Sequence, residues 1–157
     1  MKILGIITED FVNYKKPCMV IEFPSCTFKC DRECGRPVCQ NSALATLNKI
    51  NISTSRIAEM YTSNPITEAV VMQGLEPFDS FSDLTDLIRA LRKQTNDDIV
   101  IYTGYNEDEI EDYILDLRRY KNIIVKFGRY IPDQKQHYDP VLGVKLASNN
   151  QYAKRIS

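Results

Sequence analysis

Apolar and polar positions along the chain fall into short apolar runs separated by stretches with helical spacing. Four apolar runs have the length of strands: 18–23, 68–73, 98–103 and 122–126. Between them, residues 53–63 and 81–91 repeat apolar side chains every three or four positions, and residues 106–119 begin with acids and end with arginines, the order that a helix dipole favours. This alternation predicts βαβ units that form a parallel sheet with helices on its outer side.

Serine residues mark two of the predicted helix starts. Ser53 is the predicted N-cap of the first helix, and Ser80 or Ser82 is that of the second. The chain from Gly128 onward carries prolines with scattered glycine and asparagine, so it is predicted to be mostly loop, with one short strand at 142–146.

The length and charge of the chain narrow the classes of protein. A chain of 157 residues, 43% hydrophobic, can bury one core and is short for two domains, so residues 1–157 are predicted to form a single domain. The formal net charge of −1 gives no polycationic face for nucleic acid and no reason to favour a membrane surface. No signal peptide or membrane-spanning run is visible, so we expect a cytoplasmic protein.

The cysteines are crowded into one stretch. Four of the five, Cys26, Cys30, Cys34 and Cys39, follow the first predicted strand directly. In a reducing compartment such thiols are poor candidates for disulfides, and thiolates are soft metal ligands. Structural zinc sites usually combine two close pairs from separate segments or add histidine, whereas here one loop holds everything. The stretch therefore predicts a metal or redox site, while Cys18 inside the strand reads as a small buried hydrophobe.

Ligands of parallel α/β folds collect at the carboxyl ends of the strands. The cysteine loop follows the first predicted strand, residues 74–77 follow the second, residues 102–105 the third and residues 128–130 the fourth. We therefore expect these four loops to share one edge of the sheet.

This order of motifs resembles the radical S-adenosylmethionine (SAM) superfamily, and within it the activating proteins of anaerobic ribonucleoside-triphosphate reductase. The superfamily features are a cysteine loop after the first strand, a Gly-x-Glu-Pro turn and a Tyr-Thr-Gly-Tyr turn. The stretches similar to the activator family, in the same order, are Asp10–Asn13, Cys39–Asn41, Tyr102–Tyr105, Gly128–Tyr130 and Ser148–Gln151.

The resemblance implies an enzyme with two cofactors, a 4Fe-4S cluster and SAM. Three thiolates would hold the cluster and leave one iron free for SAM, whose reductive cleavage gives a 5′-deoxyadenosyl radical. The radical would install a glycyl radical on a partner enzyme, anaerobic ribonucleotide reductase. An electron donor such as flavodoxin or ferredoxin would reduce the cluster.

Because the chain has too few strands for a closed barrel, we expect an α/β fold with a mostly parallel sheet in an open, partial (β/α) barrel.

The cysteine spacing departs from that superfamily. Its usual pattern is C-x3-C-x2-C, whereas Cys34 here comes one residue late. In the activators the third ligand is commonly followed by an x-Asn pair, as in Cys39-Gln-Asn41. We therefore favour Cys26, Cys30 and Cys39 as ligands, with Cys34 as the alternative third ligand.

The resemblance also suggests a set of SAM-binding residues: Gly74, Glu76, Pro77, Tyr102, Thr103 and Gly104. Glu76 would accept a hydrogen bond from the SAM ammonium group, Gly74 would permit close approach of the backbone, and Pro77 would make the turn rigid. Leu75 stands where the superfamily usually has a second glycine, and Phe127 where activators tend to carry an acid.

Two other functions stay open. The altered cysteine spacing and Leu75 are compatible with another, or a degenerate, radical SAM enzyme. A non-catalytic iron-sulfur or zinc module would instead carry electrons or bind a partner. SAM-dependent formation of 5′-deoxyadenosine separates this module from both radical enzymes.

Overall fold

The computed structural model describes the whole chain, residues 1–157. Its strands are β1 (Lys2–Ile3), β2 (Gly5–Asp10), β3 (Cys18–Phe23), β4 (Ile50–Asn51), β5 (Ala69–Gly74), β6 (Asp98–Tyr102), β7 (Ile123–Phe127), β8 (His137–Asp139), β9 (Val144–Leu146) and β10 (Tyr152–Arg155). Its α-helices are α1 (Lys29–Cys34), α2 (Thr54–Thr62), α3 (Phe81–Arg92) and α4 (Glu111–Leu117). Short 3-10 turns at Ser42–Thr46, Pro77–Ser80 and Glu107–Glu109 complete the elements.

Six strands form the main sheet, in the order β10-β7-β6-β5-β3-β2. Neighbours among β3, β5, β6 and β7 are parallel, whereas β2 and β10 pair antiparallel at the two edges. The predicted α/β class with a mostly parallel sheet is confirmed. The edge strands do not pair with each other, so the sheet is not a closed barrel, and the expected partial barrel of radical SAM type stays a prediction.

The four parallel strands are buried on both faces, which explains their uninterrupted apolar sequences. Side chains alternate between the faces, so Met19, Ile21 and Phe23 of β3 join the larger core cluster with helices α2, α3 and α4. Cys18 and Val20 point to the other face, where the second cluster includes Leu142 and Leu146 from the C-terminal part of the chain. Cys18 is fully buried, as predicted.

The helix starts agree in part with the prediction. Ser53 caps α2, since its Oγ accepts a hydrogen bond from the Arg56 N–H at 3.2 Å. Ser80 is the residue before α3, but its side chain makes no capping hydrogen bond. The predicted helix at 106–119 begins with a 3-10 turn, and α4 follows it. None of the helices is both long enough and apolar enough to cross a membrane.

The C-terminal part has more strand than predicted. Strand β9 lies within the predicted strand at 142–146, whereas β8 and β10 were not predicted. Strands β8 and β9 form a small antiparallel pair, and β10 joins the edge of the main sheet beside β7. Strand β10 has little apolar alternation because most of its side chains face solvent, and β2 at the opposite edge has three exposed positions for the same reason. Hydrogen bonds to a buried neighbour, rather than side-chain burial, define both edge strands.

Candidate metal centre

A cavity of about 330 Å³ opens at the carboxyl ends of the parallel strands. All four loops expected at this edge contribute to its lining, which includes the groups Cys26, Cys30 and Cys39, Gly74–Glu76, Tyr102–Gly104, and Gly128 with Tyr130. Gln151 and Asn13 complete it from the C-terminal segment and from the turn after β2. The predicted convergence of the loops is confirmed.

The cavity separates the four clustered cysteines into two groups. Cys26, Cys30 and Cys39 line it, whereas Cys34 lines a smaller cavity of about 80 Å³ beside Arg129 and Tyr130. Cys30 borders both. The grouping agrees with the favoured ligand set, which stays a prediction.

Helix α1 is short and fixed at both ends. The residue before it, Phe28, has a φ of 52°, in the left-handed region that is uncommon for a side chain of this size. This conformation directs the Phe28 N–H to the Sγ of Cys26 at 3.1 Å. Gly35, with a φ of 64°, ends the helix. The backbone therefore turns sharply on either side of Cys30.

Asp31 holds the second half of the loop in place. Its Oδ1 accepts hydrogen bonds from the backbone N–H groups of Val38 at 2.7 Å and Cys39 at 2.8 Å. The side chain of Asn41 then donates to the Gly74 carbonyl at 2.8 Å. Sequence reasoning missed Asp31, because nothing in the spacing shows that a carboxylate in α1 reaches residues seven and eight positions later.

Replacing Asp31 with alanine should loosen the segment that carries Cys39. Two hydrogen bonds to a charged acceptor are lost, which we expect to speed the loss of cluster iron to a chelator by roughly tenfold. The measurement is the decay of visible absorption after an iron chelator is added under nitrogen. Asp31→Asn is the matched control, since its amide oxygen can still accept. Equal decay rates for Asp31→Ala and the wild type would show that Asp31 does not hold the loop.

Gly74 packs against the neighbouring strand. Its φ is +99°, and a Cβ at this position would lie 2.8 Å from the backbone nitrogen of Phe23. The close approach that the sequence suggested at Gly74 is therefore made to β3. The next two residues continue this contact, with the Leu75 N–H donating to the Phe23 carbonyl and the Glu76 N–H to the Ser25 carbonyl, at 3.2 and 2.8 Å. The start of the cysteine loop is thus joined to the turn after β5.

The Glu76 carboxylate is buried and already has three donors. Its Oε1 accepts from the Phe78 N–H at 3.1 Å and the Thr103 hydroxyl at 2.8 Å, and its Oε2 accepts from the Gly104 N–H at 2.9 Å. Burial raises the pKa of Glu76 to about 7, while the N–H groups of Gly104 and Phe78 act to lower it. Glu76 thus links the turns after β5 and β6. Pro77 is buried and opens the following 3-10 turn.

The turn after β6 brings backbone close to the thiols. A Cβ on Gly104 would lie 3.7 Å from the Sγ of Cys30 and 3.6 Å from Oε2 of Glu76. The Tyr102 hydroxyl donates to the Asn13 carbonyl at 2.6 Å, which ties the turn after β2 to the cavity. Tyr105, by contrast, does not line this cavity, and its hydroxyl donates to Asp79 at 2.6 Å.

Two basic residues of this edge were not predicted as site residues. Arg129 pairs with Glu109 and, at 3.1 Å, with Glu33, so it connects the loop after β7 to helix α1. Lys126 in β7 is buried, lines the cavity and donates to the Gly128 carbonyl at 2.8 Å. Burial lowers the pKa of Lys126 to about 8, while Glu76 and Cys30 act to raise it. A lysine within an apolar strand is the sequence signal that could have found it.

The segment Ser148–Gln151 lies beside the cavity and lines it through Gln151. Oε1 of Gln151 accepts from the Ala147 and Ser148 N–H groups at 3.0 and 3.2 Å, and its Nε2 donates to the Gly128 carbonyl at 3.2 Å. Gly128, with a φ of +94°, packs against the Asn150 carbonyl. The segment is therefore held against the loop after β7.

The surroundings of Cys26 and Cys30 favour the neutral thiol over the thiolate. Burial raises the pKa of Cys26 to about 11, although its hydrogen bond from Phe28 acts to lower it, and burial also raises the pKa of Cys30. A bound metal stabilises thiolates directly, so loading with metal is expected to release protons. Soft, half-buried sulfur donors with few competing oxygen ligands suit iron-sulfur chemistry.

No group of three or more His, Cys, Asp or Glu side chains lies close enough together to hold a metal ion.

Residues 18–152 match the family described as 4Fe-4S single cluster domain. The chain belongs to this 4Fe-4S family. The match extends from β3 to the first residue of β10 and includes the cysteine loop and the other three turns of the cavity edge. No curated protein matches the chain. The cysteine loop provides free thiols, the ligand type that such a cluster requires.

Proposed function

We propose that this 4Fe-4S domain is a radical SAM enzyme that installs a glycyl radical on a partner enzyme. The partner we propose is anaerobic ribonucleotide reductase, and the resemblance of the motifs to the activators of that enzyme supports it. A small electron-transfer protein, such as flavodoxin or ferredoxin, would provide the electron, and the cytoplasm is the compartment we propose.

The observation that carries the proposal is the number of thiols in the main cavity. Three cysteines line it, and the fourth lies in the second cavity. A cluster with three protein ligands keeps one iron free for a small ligand. The cavity volume of about 330 Å³ lies at the lower end of the range of small-molecule sites, so a cluster and SAM together would extend from the cavity toward solvent.

A 4Fe-4S cluster held by Cys26, Cys30 and Cys39 would, once reduced, supply the electron that breaks the bond between the sulfur of SAM and its 5′ carbon. The products would be methionine and a 5′-deoxyadenosyl radical. The radical would then take a hydrogen atom from a glycine of the partner, which leaves 5′-deoxyadenosine and a glycyl radical. Each activation thus consumes one electron and one SAM.

The residues of the cavity would bind and shield this ligand. The Glu76 carboxylate offers about four acceptor positions and uses three internally, so one remains for the SAM ammonium group. Tyr102, Thr103 and Gly104 line the side next to it. The proposed fold is an open, partial barrel, in which the partner protein would cover the free side of the site and exclude water.

The test is anaerobic reconstitution with iron and sulfide, followed by reduction in the presence of SAM. We expect SAM-dependent formation of 5′-deoxyadenosine and a change in the EPR spectrum of the reduced cluster when SAM is added. Triple replacement of Cys26, Cys30 and Cys39 with alanine is the control and should give neither. A loaded cluster that neither cleaves SAM nor changes its spectrum would assign the domain to electron transfer instead.

The partner requires a second experiment. Incubation with anaerobic ribonucleotide reductase, SAM and reductant should give a glycyl radical doublet in the EPR spectrum. If SAM is cleaved but this signal is absent, the enzyme acts on another substrate.

A further inference from the structure

Lys126 is a buried cation without a carboxylate partner. The residue is 6% exposed, and its Nζ donates to the carbonyls of Gly128 at 2.8 Å and Thr103 at 3.5 Å. None of the salt bridges of the protein includes it. Arg129, three positions later, pairs with two glutamates instead. Taking an ammonium group out of water without an anion is costly, so this position needs a further source of stabilisation.

The cavity that holds the thiols is where such an anion would lie. Lys126 lines it together with Cys26, Cys30 and Cys39. The other acidic and basic side chains of the lining are Lys145 and Glu76, which acts electrostatically on Lys126 but is already engaged with three donors. Thiolates and the cluster they hold carry negative charge, and one-electron reduction makes that charge larger.

We propose that Lys126 is a buried positive charge that raises the reduction potential of the cluster. A buried charge near the cluster favours the reduced state over the oxidised state, because solvent screens it little. The proposal rests on membership of the 4Fe-4S family and does not depend on SAM cleavage. The role of Lys126 and the proposed radical SAM activity can therefore each be disproved without the other. Lys126 acts here as a tuning residue and takes no part in bond breaking.

Lys145 provides a matched control within the same cavity. It is exposed in β9, whereas Lys126 is buried in β7. Water and salt screen an exposed charge, so removing it should have little effect on the potential. Comparing neutral variants of Lys126 and Lys145 thus separates the effect of a buried charge on the reduction potential from the effect of net charge.

The experiment is a redox titration of the reconstituted cluster, followed by EPR, with no SAM added. In Lys126→Gln, the ratio of reduced to oxidised cluster at a fixed potential should fall about tenfold, which equals about 59 mV for one electron. Lys126→Arg keeps the charge and should stay within about twofold of the wild type, as should Lys145→Gln. Lys126→Met removes the same charge with different packing and should agree with Lys126→Gln.

Iron and sulfide counts establish that each variant holds a full cluster. An unchanged potential in a fully loaded Lys126→Gln or Lys126→Met would overturn the proposal. So would failure of both neutral variants to load a cluster that Lys126→Arg loads, because the lysine would then be needed for structure rather than for tuning.

Discussion

Alanine at Cys39 is expected to abolish the visible absorption of the 4Fe-4S cluster, and the same loss is expected for Cys26→Ala and Cys30→Ala. Each change removes one of the three thiols that line the main cavity. Two remaining thiolates leave two irons without a protein ligand. The measurement is the absorption spectrum and iron content after anaerobic reconstitution.

Cys34→Ala is the matched control, because it removes a cysteine of the same loop that lies outside the main cavity. We expect it to retain most of the absorption and iron of the wild type. A full spectrum in Cys39→Ala together with loss of the cluster in Cys34→Ala would reverse the ligand assignment.

The second large effect is expected at Gly74. Alanine there would place a Cβ 2.8 Å from the Phe23 nitrogen and 3.0 Å from the Cα of Glu22, both backbone atoms of β3 in the interior of the sheet. The φ of +99° is also unfavourable for alanine. The strain and the displaced backbone together should lower the free energy of unfolding by roughly 3 kcal/mol or more. Urea unfolding of the protein measures this change.

Gly35→Ala separates these two causes. Gly35 has a φ of +64°, but a Cβ there would have no atom within 4 Å. We therefore expect a loss of only about 1 kcal/mol, the cost of the left-handed conformation alone. If both variants lose the same stability, the contact of Gly74 with β3 is not what requires glycine.

The core of the fold was predictable because burial on both faces leaves a strong pattern. Strand β3 has the predicted bounds, 18–23, and the other three parallel strands differ by about one residue. The edge strands β2 and β10 were missed because most of their side chains face solvent and carry no apolar period. Pairing with a neighbour distant in sequence determines these strands, and spacing alone does not reveal it.

The candidate site was predictable at the level of loops and less so at the level of atoms. Loops at the carboxyl ends of parallel strands converge, and this rule was sufficient to predict that the cysteines, Glu76 and Thr103 lie at one edge of the sheet. The sequence could not show that Thr103 and two backbone N–H groups occupy the Glu76 carboxylate. The sequence pointed to Cys34 as the cysteine that lies apart through the family-like Cys39-Gln-Asn41, but not to the cause, which is how α1 and the contacts of Asp31 direct the loop.

The cysteine loop is attached at both ends to one turn of the sheet. Ser25 accepts the Glu76 N–H at its start, and Asn41 donates to the Gly74 carbonyl at its end. The entropy of closing this loop is therefore lost when the sheet folds, before any iron binds. Cluster insertion then has only the inner residues left to order, so we expect the protein to stay folded when it loses its cluster.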